Sequence, residues 1–506
     1  MKKIIAVLLV LLCVAGVLFA AAATETKAAE TTEKALKEKV RIGMTTILDD
    51  IIPPNNNTGN LHLLYTLYLD PLVRHPDSLK AEFEPNIAES WEISADSLKY
   101  TFKIRKDVYF TNGEHLTAED VVWSIETAAS YPSQASKFTK MDKIYASDEY
   151  TVVIEMKEIE AEMLTYLSSL NVPMLCRKAI EADPEKGWLI GTGAYKVVEN
   201  VAKDHVLFEK NENYWGDKDK VKTKYIEAVY ITEAASRSIA VQTGELDFAM
   251  DLNTNDLNSF EAYPNTRVDM VNTYGLTYAA INVSGKAPQD EALQDIHFRR
   301  ALNYATDVES ILALCCDGIG DTPNGIIPKG YAFWSEPDVK YGFDLEKAKA
   351  EIAQTKFADG ITLQINCGSS TYPGLFEVLK DQWAKIGVNL EITTTGKASN
   401  LLYDIIIAKW TPGNLQAMMV AMWTDNGSNR TKDFSNADLV GPCSSTLDLA
   451  ERTARYAKLQ NACIENACQI PLWIRYSAYG VNVNLAGYVL DPCWGYSDFR
   501  FVYCYE

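Results

Sequence analysis

The chain has 506 residues, 47% of them hydrophobic and 10% aromatic, which is enough for about two to four domains with large apolar cores. This composition excludes a disordered chain, a fibrous repeat and a small disulfide-stapled scaffold. Because 68 Asp and Glu residues outnumber 48 Lys and Arg residues, the formal charge of -20 argues against binding to nucleic acid or to anionic membrane surfaces.

The first residues have the three parts of a secretory signal peptide. Lys2 and Lys3 form a cationic start, Ile4 to Phe19 is almost wholly apolar, and Ala20 to Ala23 supply the small residues that a signal peptidase requires. We therefore predict a signal peptide over residues 1–23 and an exported protein, in the periplasm or at the cell surface.

The segment after the signal peptide has a composition that cannot form a core. Residues 24–39 use little beyond Ala, Thr, Glu and Lys, which predicts a flexible tether. Cys13, the nearby acylatable thiol, follows a Val-Leu-Leu run with no small residue before it, so a lipoprotein is not favoured. An uncleaved membrane anchor stays an alternative.

The cysteines and histidines give no sign of a metal site. Ten cysteines become nine when Cys13 leaves with the signal peptide, and their pairing cannot be deduced from spacing. Cys315 and Cys316 are adjacent, and Cys463 and Cys468 do not match the CxxC spacing of zinc sites. We expect mostly buried thiols, no metal and no cofactor.

A strand, a loop and a helix are predicted after the tether. Val40 to Met44 is typical of a strand, and the Pro and Asn residues of Ile51 to Asn60 favour a loop. The apolar spacing of Leu61 to Leu69 predicts a helix that ends before Pro71.

A hairpin and a capped helix are predicted next. Tyr100, Phe102 and Ile104 alternate with polar residues, as in a half-buried strand, and Val108 to Phe110 is predicted to pair with that strand. The sequence Thr-Ala-Glu-Asp at 117–120 forms a capping box that opens a helix over Val121 to Ala129.

Alternating helices and strands downstream predict the α/β class. Apolar residues recur at helical spacing over 298–311 and again over 379–386, where Gly387 ends the second helix. Three strands near the second helix indicate a parallel sheet, and they are Ile361 to Ile365, Val388 to Ile392 and Asp404 to Ile407.

No catalytic motif is found. GxSxG and GxxxxGK[ST] are both absent, and no pair of carboxylates is singled out by its spacing. We therefore expect no catalytic residues. A protein rich in Trp and Tyr, with lobes joined by short connections, is suited to binding a ligand by closing around it. A secreted hydrolase of peptides or glycans is the alternative function.

Several ordered motifs resemble the bacterial extracellular solute-binding proteins of family 5, which serve peptide, dipeptide and nickel ABC importers. The resemblance covers the chain from about Val40 to the C-terminus. The motifs are Phe83–Trp91, Tyr100–Lys106, Phe110–Gly113, Leu116–Val122, Gly191–Tyr195, Asn211–Gly216, Gln242–Asp247, Phe298–Asp307, Lys385–Val388 and Ile470–Leu472.

The resemblance implies a periplasmic-binding-protein-like fold of two discontinuous lobes with an extra subdomain, of the type called cluster C. The ligand is expected between the lobes. The implied boundaries are 40–58, 186–275 and 481–506 for lobe I, 59–185 for its extra subdomain, and 276–480 for lobe II.

The same resemblance indicates one departure in the expected ligand site. Peptide-binding members have a strand that leads to Gly-Trp and then to an Asp that pairs with the peptide ammonium group. In this chain Trp410 matches, but Lys409 replaces the Gly and Gly413 occupies the Asp position. Loss of that carboxylate removes a charge-assisted hydrogen bond of about 1.5–3 kcal/mol, which argues against ordinary α-peptides.

Six residues are candidates for ligand contact. Trp410 and Trp423 would stack on the solute, Asp425 would replace the missing carboxylate, and Arg430 would pair with a ligand carboxylate. Asn57 and Thr58, in the Asn-rich loop after the first strand, would bond a polar ligand. Packing in the core is the alternative role for the two tryptophans, and a solvated loop charge is the alternative for Arg430.

The function implied is the exported substrate-binding component of an ABC importer. It would capture a peptide-like or oligosaccharide solute and deliver it to a membrane permease, as a monomer and without chemistry. A partner of a chemoreceptor or a sensor of peptide signals would have the same fold, and the sequence does not separate these roles.

Overall fold

In the computed structural model, strands from most of the chain form one ten-stranded sheet. The structure describes residues 34–56, 59–366, 373–393, 403–410, 414–425, 429–492 and 497–506. The strands are β1 (Lys39–Met44), β2 (Val73–Arg74), β3 (Glu84–Pro85), β4 (Ala88–Ile93), β5 (Lys99–Ile104), β6 (Met141–Asp148), β7 (Thr151–Met156), β8 (Tyr195–Val201), β9 (His205–Lys210), β10 (Tyr225–Tyr230), β11 (Phe248–Ala249), β12 (Thr266–Ile281), β13 (Ile361–Asn366), β14 (Val388–Thr393), β15 (Ile405–Trp410), β16 (Gln469–Asn482), β17 (Leu485–Ala486) and β18 (Tyr503–Cys504).

Helices cover the sheet and fill the connections between strands. The α-helices span Gly59–Tyr68, Ala118–Ser130, Pro132–Ala135, Met163–Leu167, Arg177–Ala182, Ala234–Gln242, Asp290–Gln294, Ile296–Ala305, Val308–Cys315, Leu345–Ile352, Pro373–Ala384, Leu415–Trp423, Ala437–Val440 and Leu449–Glu465. Short 3-10 helices span Pro53–Asn55, Ser136–Phe138, Gly187–Leu189, Lys218–Lys220, Thr254–Ala262 and Gly441–Ser444.

Two long strands connect the halves of the large sheet. Its order is β14-β13-β15-β12-β16-β11-β1-β10-β9-β8, so β12 and β16 belong to both halves. They pair antiparallel along their length, and the register shifts between Asn272 and Gly275. Tyr274, inside this shift, has a φ of 50°. We call β12 and β16 the crossing strands, because the chain changes lobe along them.

The predicted parallel strands and the α/β class are confirmed. β13 pairs in parallel with both β14 and β15, and each strand exposes one face to a helix-covered core.

The predicted helix over 298–311 is instead two helices, Ile296–Ala305 and Val308–Cys315. The break has a local cause, since the Asp307 carboxylate accepts from the backbone N–H of Ser310 at 3.1 Å and begins the second helix.

Separate hydrophobic clusters underlie the two halves of the sheet and a smaller sheet. One cluster lies between β1, β8–β10 and the helix Gly59–Tyr68, and two others lie on the β13–β15 half. A further cluster is built on the sheet β4-β5-β7-β6. The fold therefore has two lobes and an extra subdomain, while the residue boundaries given above stay predictions.

The helix Gly59–Tyr68 belongs to the core of the first lobe. Tyr65, Leu67 and Tyr68 are fully buried in the same cluster as β1, whereas the cluster of the small sheet begins at Leu72. The helix also contacts the predicted subdomain, since His62 Nε2 lies 2.6 Å from Asn171 Oδ1, so the predicted start of the subdomain at 59 stays a prediction.

The predicted hairpin between β5 and Val108–Phe110 is wrong. Both edges of β5 are already occupied, by β4 on one side and β7 on the other. The segment pairs locally instead: Leu116 N–H donates to Val108 O at 3.0 Å, and Phe110 N–H donates to Glu114 O at 2.8 Å. Gly113 closes this turn with a φ of +88°, a conformation that favours glycine.

The predicted cap of the next helix is confirmed. The Asp120 carboxylate accepts hydrogen bonds at 2.9 Å from both the backbone N–H and the hydroxyl of Thr117, and the helix Ala118–Ser130 follows. We expect Asp120→Ala to lower the free energy of unfolding by about 1 kcal/mol, because a free amide at the helix start loses its acceptor. Urea unfolding checks this value, and Glu119→Ala, on an exposed site of the same turn, is the control.

Two of the sequence motifs meet at one buried carboxylate. Thr192 Oγ1 and Trp215 Nε1 donate to Asp70 Oδ2 at 3.0 and 3.2 Å, and Arg500 Nη1 lies 3.4 Å from Asp70 Oδ1. Gly193 is required by packing, since a Cβ there would lie 2.6 Å from Leu67 O. These motifs therefore stabilise the junction of the first lobe with its subdomain.

The cysteines that the structure describes carry free thiols. They are Cys176, Cys315, Cys316, Cys443, Cys463, Cys468 and Cys504, and all except the adjacent pair Cys315 and Cys316 are buried. The expectation of mostly buried thiols is confirmed for this part of the chain. In the same residues, no helix is long and apolar enough to cross a membrane.

Candidate functional site

Charged groups from both lobes meet at the crossing strands. Asp251 follows β11 in the first lobe, Lys409 is the penultimate residue of β15 in the second lobe, and Arg475 lies on β16. The charges of Asp251 and Arg475 both act on Lys409, and that of Arg475 acts on Asp251. We call these three residues the cleft triad.

The first lobe holds Asp251 through Asn60 of the helix Gly59–Tyr68, next to the loop that follows β1. Asn60 Nδ2 donates both to Asp251 Oδ2 at 3.1 Å and to Thr45 Oγ1 at 2.8 Å. Burial raises the pKa of the Asp251 carboxyl, an effect that the Arg237 charge and the Asn60 hydrogen bond oppose. Asn57 and Thr58, in the same loop, lie outside the described residues, so their predicted ligand contacts stay predictions.

The second lobe supplies the two cations of the triad. Lys409 is exposed at the end of the apolar strand β15, and the burial of part of its side chain, with the nearby Arg475 charge, lowers its pKa. The guanidinium of Arg475 lies over Gly275, where a Cβ would be 2.6 Å from Arg475 Nη2. Glycine at 275 therefore leaves the space that the arginine occupies.

The structure brings the two candidate tryptophans into one cluster. Trp423 ends the helix Leu415–Trp423 and is 1% exposed, whereas Trp410 is half-buried at the edge of the same core. Neither Nε1 atom has a hydrogen-bond partner among the described residues. Trp410 therefore keeps a surface for a ligand, and the burial of Trp423 favours its alternative role in the core.

Asp425 and Arg430 do not join the cleft triad. Asp425 is exposed two residues after the end of its helix. The residue next to Arg430, Thr431, accepts a backbone hydrogen bond from Val283 at 2.8 Å, just beyond the end of β12 that lies away from Gly275. The predicted ligand contacts of these two residues stay predictions.

Two cavities border the crossing strands on the side of the second lobe. Ile474, whose side chain points to the face of β16 opposite Arg475, lines a cavity of about 530 Å³ together with Tyr274 and Asp321. A cavity of about 480 Å³ lies further along β16, beside Gln469 and Asn303. None of the four candidates that the structure describes, Trp410, Trp423, Asp425 and Arg430, lines either one.

Within the described ranges, no group of three or more His, Cys, Asp or Glu side chains is placed to hold a metal ion. The triad pairs one carboxylate with two cations, an arrangement suited to holding a charged or polar solute by hydrogen bonds and ion pairs.

Sequence reasoning missed Asp251, Arg475 and Asn60 and noticed Lys409 only as a departure from a motif. A signal was available for the two cations, because each interrupts a strand of mostly apolar residues. A charge in such a strand requires a partner or a polar site.

The comparisons with known proteins point to one family. A family model described as bacterial extracellular solute-binding proteins, family 5 Middle, matches residues 82–432. The probable D,D-dipeptide-binding periplasmic protein DdpA of Escherichia coli K12 is 25% identical over 441 residues, covering 82% of this chain and 84% of that protein. Heme-binding protein A of Haemophilus influenzae is 25% identical over 470 residues, covering 83% of each.

Solved structures share the whole architecture. The periplasmic binding protein DppA from Helicobacter pylori, in complex with the peptide STSA, superposes with a TM-score of 0.75 at 23% identity, covering 93% of this chain and 99% of that one. This likeness concerns the fold.

Proposed function

This chain belongs to the bacterial extracellular solute-binding proteins of family 5, and from that premise we propose that it captures a peptide-like or oligosaccharide solute for an ABC importer. The observation that carries the proposal is the cleft triad, where Asp251 of the first lobe faces Lys409 and Arg475 of the second. Charged groups that meet between two separately packed cores form a site that opens and closes with the lobes.

The chemical nature of the solute is not fixed by the family. The relatives are named for binding D,D-dipeptides and heme, so the same fold accepts different ligands. Gly413 stands where peptide-binding members have the carboxylate for the ligand ammonium group, which supports a solute other than an ordinary α-peptide.

The alternative of a secreted hydrolase has no support among the relatives, because the family consists of solute-binding proteins.

We propose that the protein is exported by residues 1–23 and works outside the cytoplasmic membrane as a monomer that docks on a permease. The periplasmic relatives support this location. A binding protein that acts as the partner of a chemoreceptor would have the same fold and the same site.

Thermal shift of the full mature chain against panels of peptides, saccharides and metal complexes tests the proposed function. A bound solute stabilises the folded state by mass action, so the melting temperature should rise with solute concentration. Mass spectrometry of the solute after incubation should show it unchanged. The absence of any shift, together with hydrolysis of a panel member, would overturn the proposal.

Trp410 provides a local test of the same site. We expect Trp410→Ala to weaken solute binding by about 1 kcal/mol, roughly fivefold, because a half-buried indole ring is lost from the ligand surface. Trp410→Phe, which keeps a ring, should retain most of the affinity when both are measured by calorimetry. Unfolding of the Ala variant without any separate change in affinity would instead assign Trp410 to the core.

A further inference from the structure

A cavity of about 480 Å³ lies inside the second lobe, away from the cleft triad. Its walls come from the helices Ile296–Ala305, Val308–Cys315 and Leu449–Glu465, from the loops at 322–326 and 339–343, and from the start of β16. Gln469, at that start, pairs with Ala280 and is six residues along β16 from Arg475. Six residues of a strand span about 20 Å, so the cavity is a separate site from the cleft.

The cavity has room for an organic molecule and apolar walls to contact it. A water molecule occupies about 30 Å³ of liquid, whereas sites for small molecules measure about 300–1,000 Å³. The lining includes Ile326, Val339 and Ile470, together with the aromatic residues Tyr341 and Phe343. Ile326 and Ile470 are 1% and 2% exposed, so they belong to a packed wall and not to an open surface.

Two buried amides of the wall offer hydrogen-bond acceptors. Asn303 Nδ2 donates to the backbone carbonyls of Arg299 and Ala467 at 3.0 and 3.1 Å, so this amide has only its Oδ1 left for a ligand. Gln469 is 5% exposed, and its Oε1 has no hydrogen-bond partner among the described residues. An unpaired buried oxygen is unfavourable by about 1–3 kcal/mol in general. Rotation of the terminal amide, a soft torsion, can bring this oxygen to a donor in the cavity.

The charges around the cavity favour a cation. Asp307 and Glu309 are both part of the lining, and Glu309 is exposed. Lys340 is the cation in this lining, and its ammonium group forms an ion pair with Glu336. Arg300 lies nearby, hydrogen-bonded to a tyrosine of the wall. Three carboxylates against two cations leave a net negative charge, which attracts a positively charged ligand.

We propose that this cavity binds a small organic ammonium ion with an apolar or aromatic body. The ammonium group would donate to the amide oxygens of Asn303 and Gln469, near the carboxylate of Glu309. The rings of Tyr341 and Phe343 can contact the body or face the cation. Because the whole lining belongs to the second lobe, this binding does not require the lobes to close, and the inference goes beyond the proposed capture of a solute.

Matched pairs of amines and alcohols test this site. Calorimetry with the full mature chain would compare phenethylamine with phenethyl alcohol, and hexylamine with hexanol. We expect the ammonium ion of at least one pair to bind about tenfold or more tightly than its alcohol, which is the typical contribution of a charge-assisted hydrogen bond. Equal or tighter binding of the alcohols, or no binding of either amine, would overturn the proposal.

Two variants locate the bound amine. Gln469→Met and Glu309→Gln should each weaken amine binding about fivefold or more, and Gln469→Met should leave the melting temperature unchanged or raised, because it removes an unpaired buried oxygen. A merely structural glutamine would give a lower melting temperature with the amine affinity intact. Asp359→Asn, which removes an exposed acid elsewhere in the second lobe, is the control and should bind like the parent protein. Unchanged amine affinity in both variants would overturn the site.

A further pair of measurements separates this cavity from the cleft. Trp410→Ala, which is expected to weaken solute binding, should leave the amine affinity unchanged. In methyl NMR of the isoleucine-labelled chain, the amine should shift Ile326 and Ile470 in the cavity wall and leave Ile42, in the core of the first lobe, unshifted. Loss of amine binding in Trp410→Ala, or shifts that bypass both cavity isoleucines, would overturn the proposal and leave the solute-binding function standing.

Discussion

Replacing Arg500 by methionine is expected to lower the free energy of unfolding by about 3–5 kcal/mol, the usual effect of removing one partner of a buried ion pair. The Arg500 and Asp70 side chains are 6% and 1% exposed, and Arg500 Nε also donates to Asp498 Oδ1 at 3.0 Å. Without the guanidinium, the Asp70 carboxylate would stay buried with only neutral donors, Thr192 and Trp215.

Urea unfolding followed by tryptophan fluorescence measures this effect, with Arg74→Met as a matched control. Arg74 pairs with the same Asp498 at 3.0 Å, but its side chain is 33% exposed. An ion pair in contact with water contributes about 0–1 kcal/mol, so the control should differ little from the parent protein. Equal destabilisation by the two substitutions would contradict the assigned role of Arg500.

Glu162→Gln is expected to weaken solute binding about a hundredfold. Glu162, in the extra subdomain, forms a buried ion pair with Arg452 and accepts a hydrogen bond from Asn414, both in the second lobe. Ala161 N–H donates to Ser444 O at 2.9 Å beside them. These contacts join the subdomain to the second lobe, so losing the carboxylate is expected to destabilise the arrangement in which the two lie together by about 3 kcal/mol.

Calorimetry with a solute found by thermal shift measures the affinity, and small-angle scattering should show a larger radius of gyration for the variant. Glu160→Gln is the matched control, because Glu160 is also buried but pairs with Lys140 of its own subdomain, at 3.1 Å. Its affinity should equal that of the parent protein. If Glu160→Gln weakens binding as much as Glu162→Gln, the contact with the second lobe is not the cause.

Local patterns in the sequence predicted the elements whose neighbours are close in the chain. The apolar alternation of β5 and the spacing of the helix at 373–384 follow from burial of one face, and the Thr117–Asp120 cap depends on residues three apart. The hairpin failed because β5 takes its partners from β4 and β7, and β7 lies far along the chain. Whether the edge of a strand already has a partner depends on the whole folded sheet, so it cannot be predicted from the local sequence.

The candidate site was less predictable for the same reason. Trp410 follows a motif that is visible in the sequence. Residues 409 and 475 of the cleft triad, by contrast, come together through the register of β12 with its two neighbours, and Asp251 follows β11, which pairs with β16. Gly275 also gave no sign of its role, since the space above it matters only when Arg475 is opposite. The charged centre of the site is therefore a consequence of topology.

The seven free cysteines among the described residues have a consequence in the periplasmic location that the relatives indicate. Only the thiolate attacks a disulfide or an oxidant, so a raised pKa slows both reactions. Burial raises the pKa of every one of these thiols, to about 11 for Cys443 and to about 12 for Cys316, Cys468 and Cys504. Once folded, the described thiols therefore react slowly in an oxidising compartment, whereas the same thiols in the unfolded chain lack this protection.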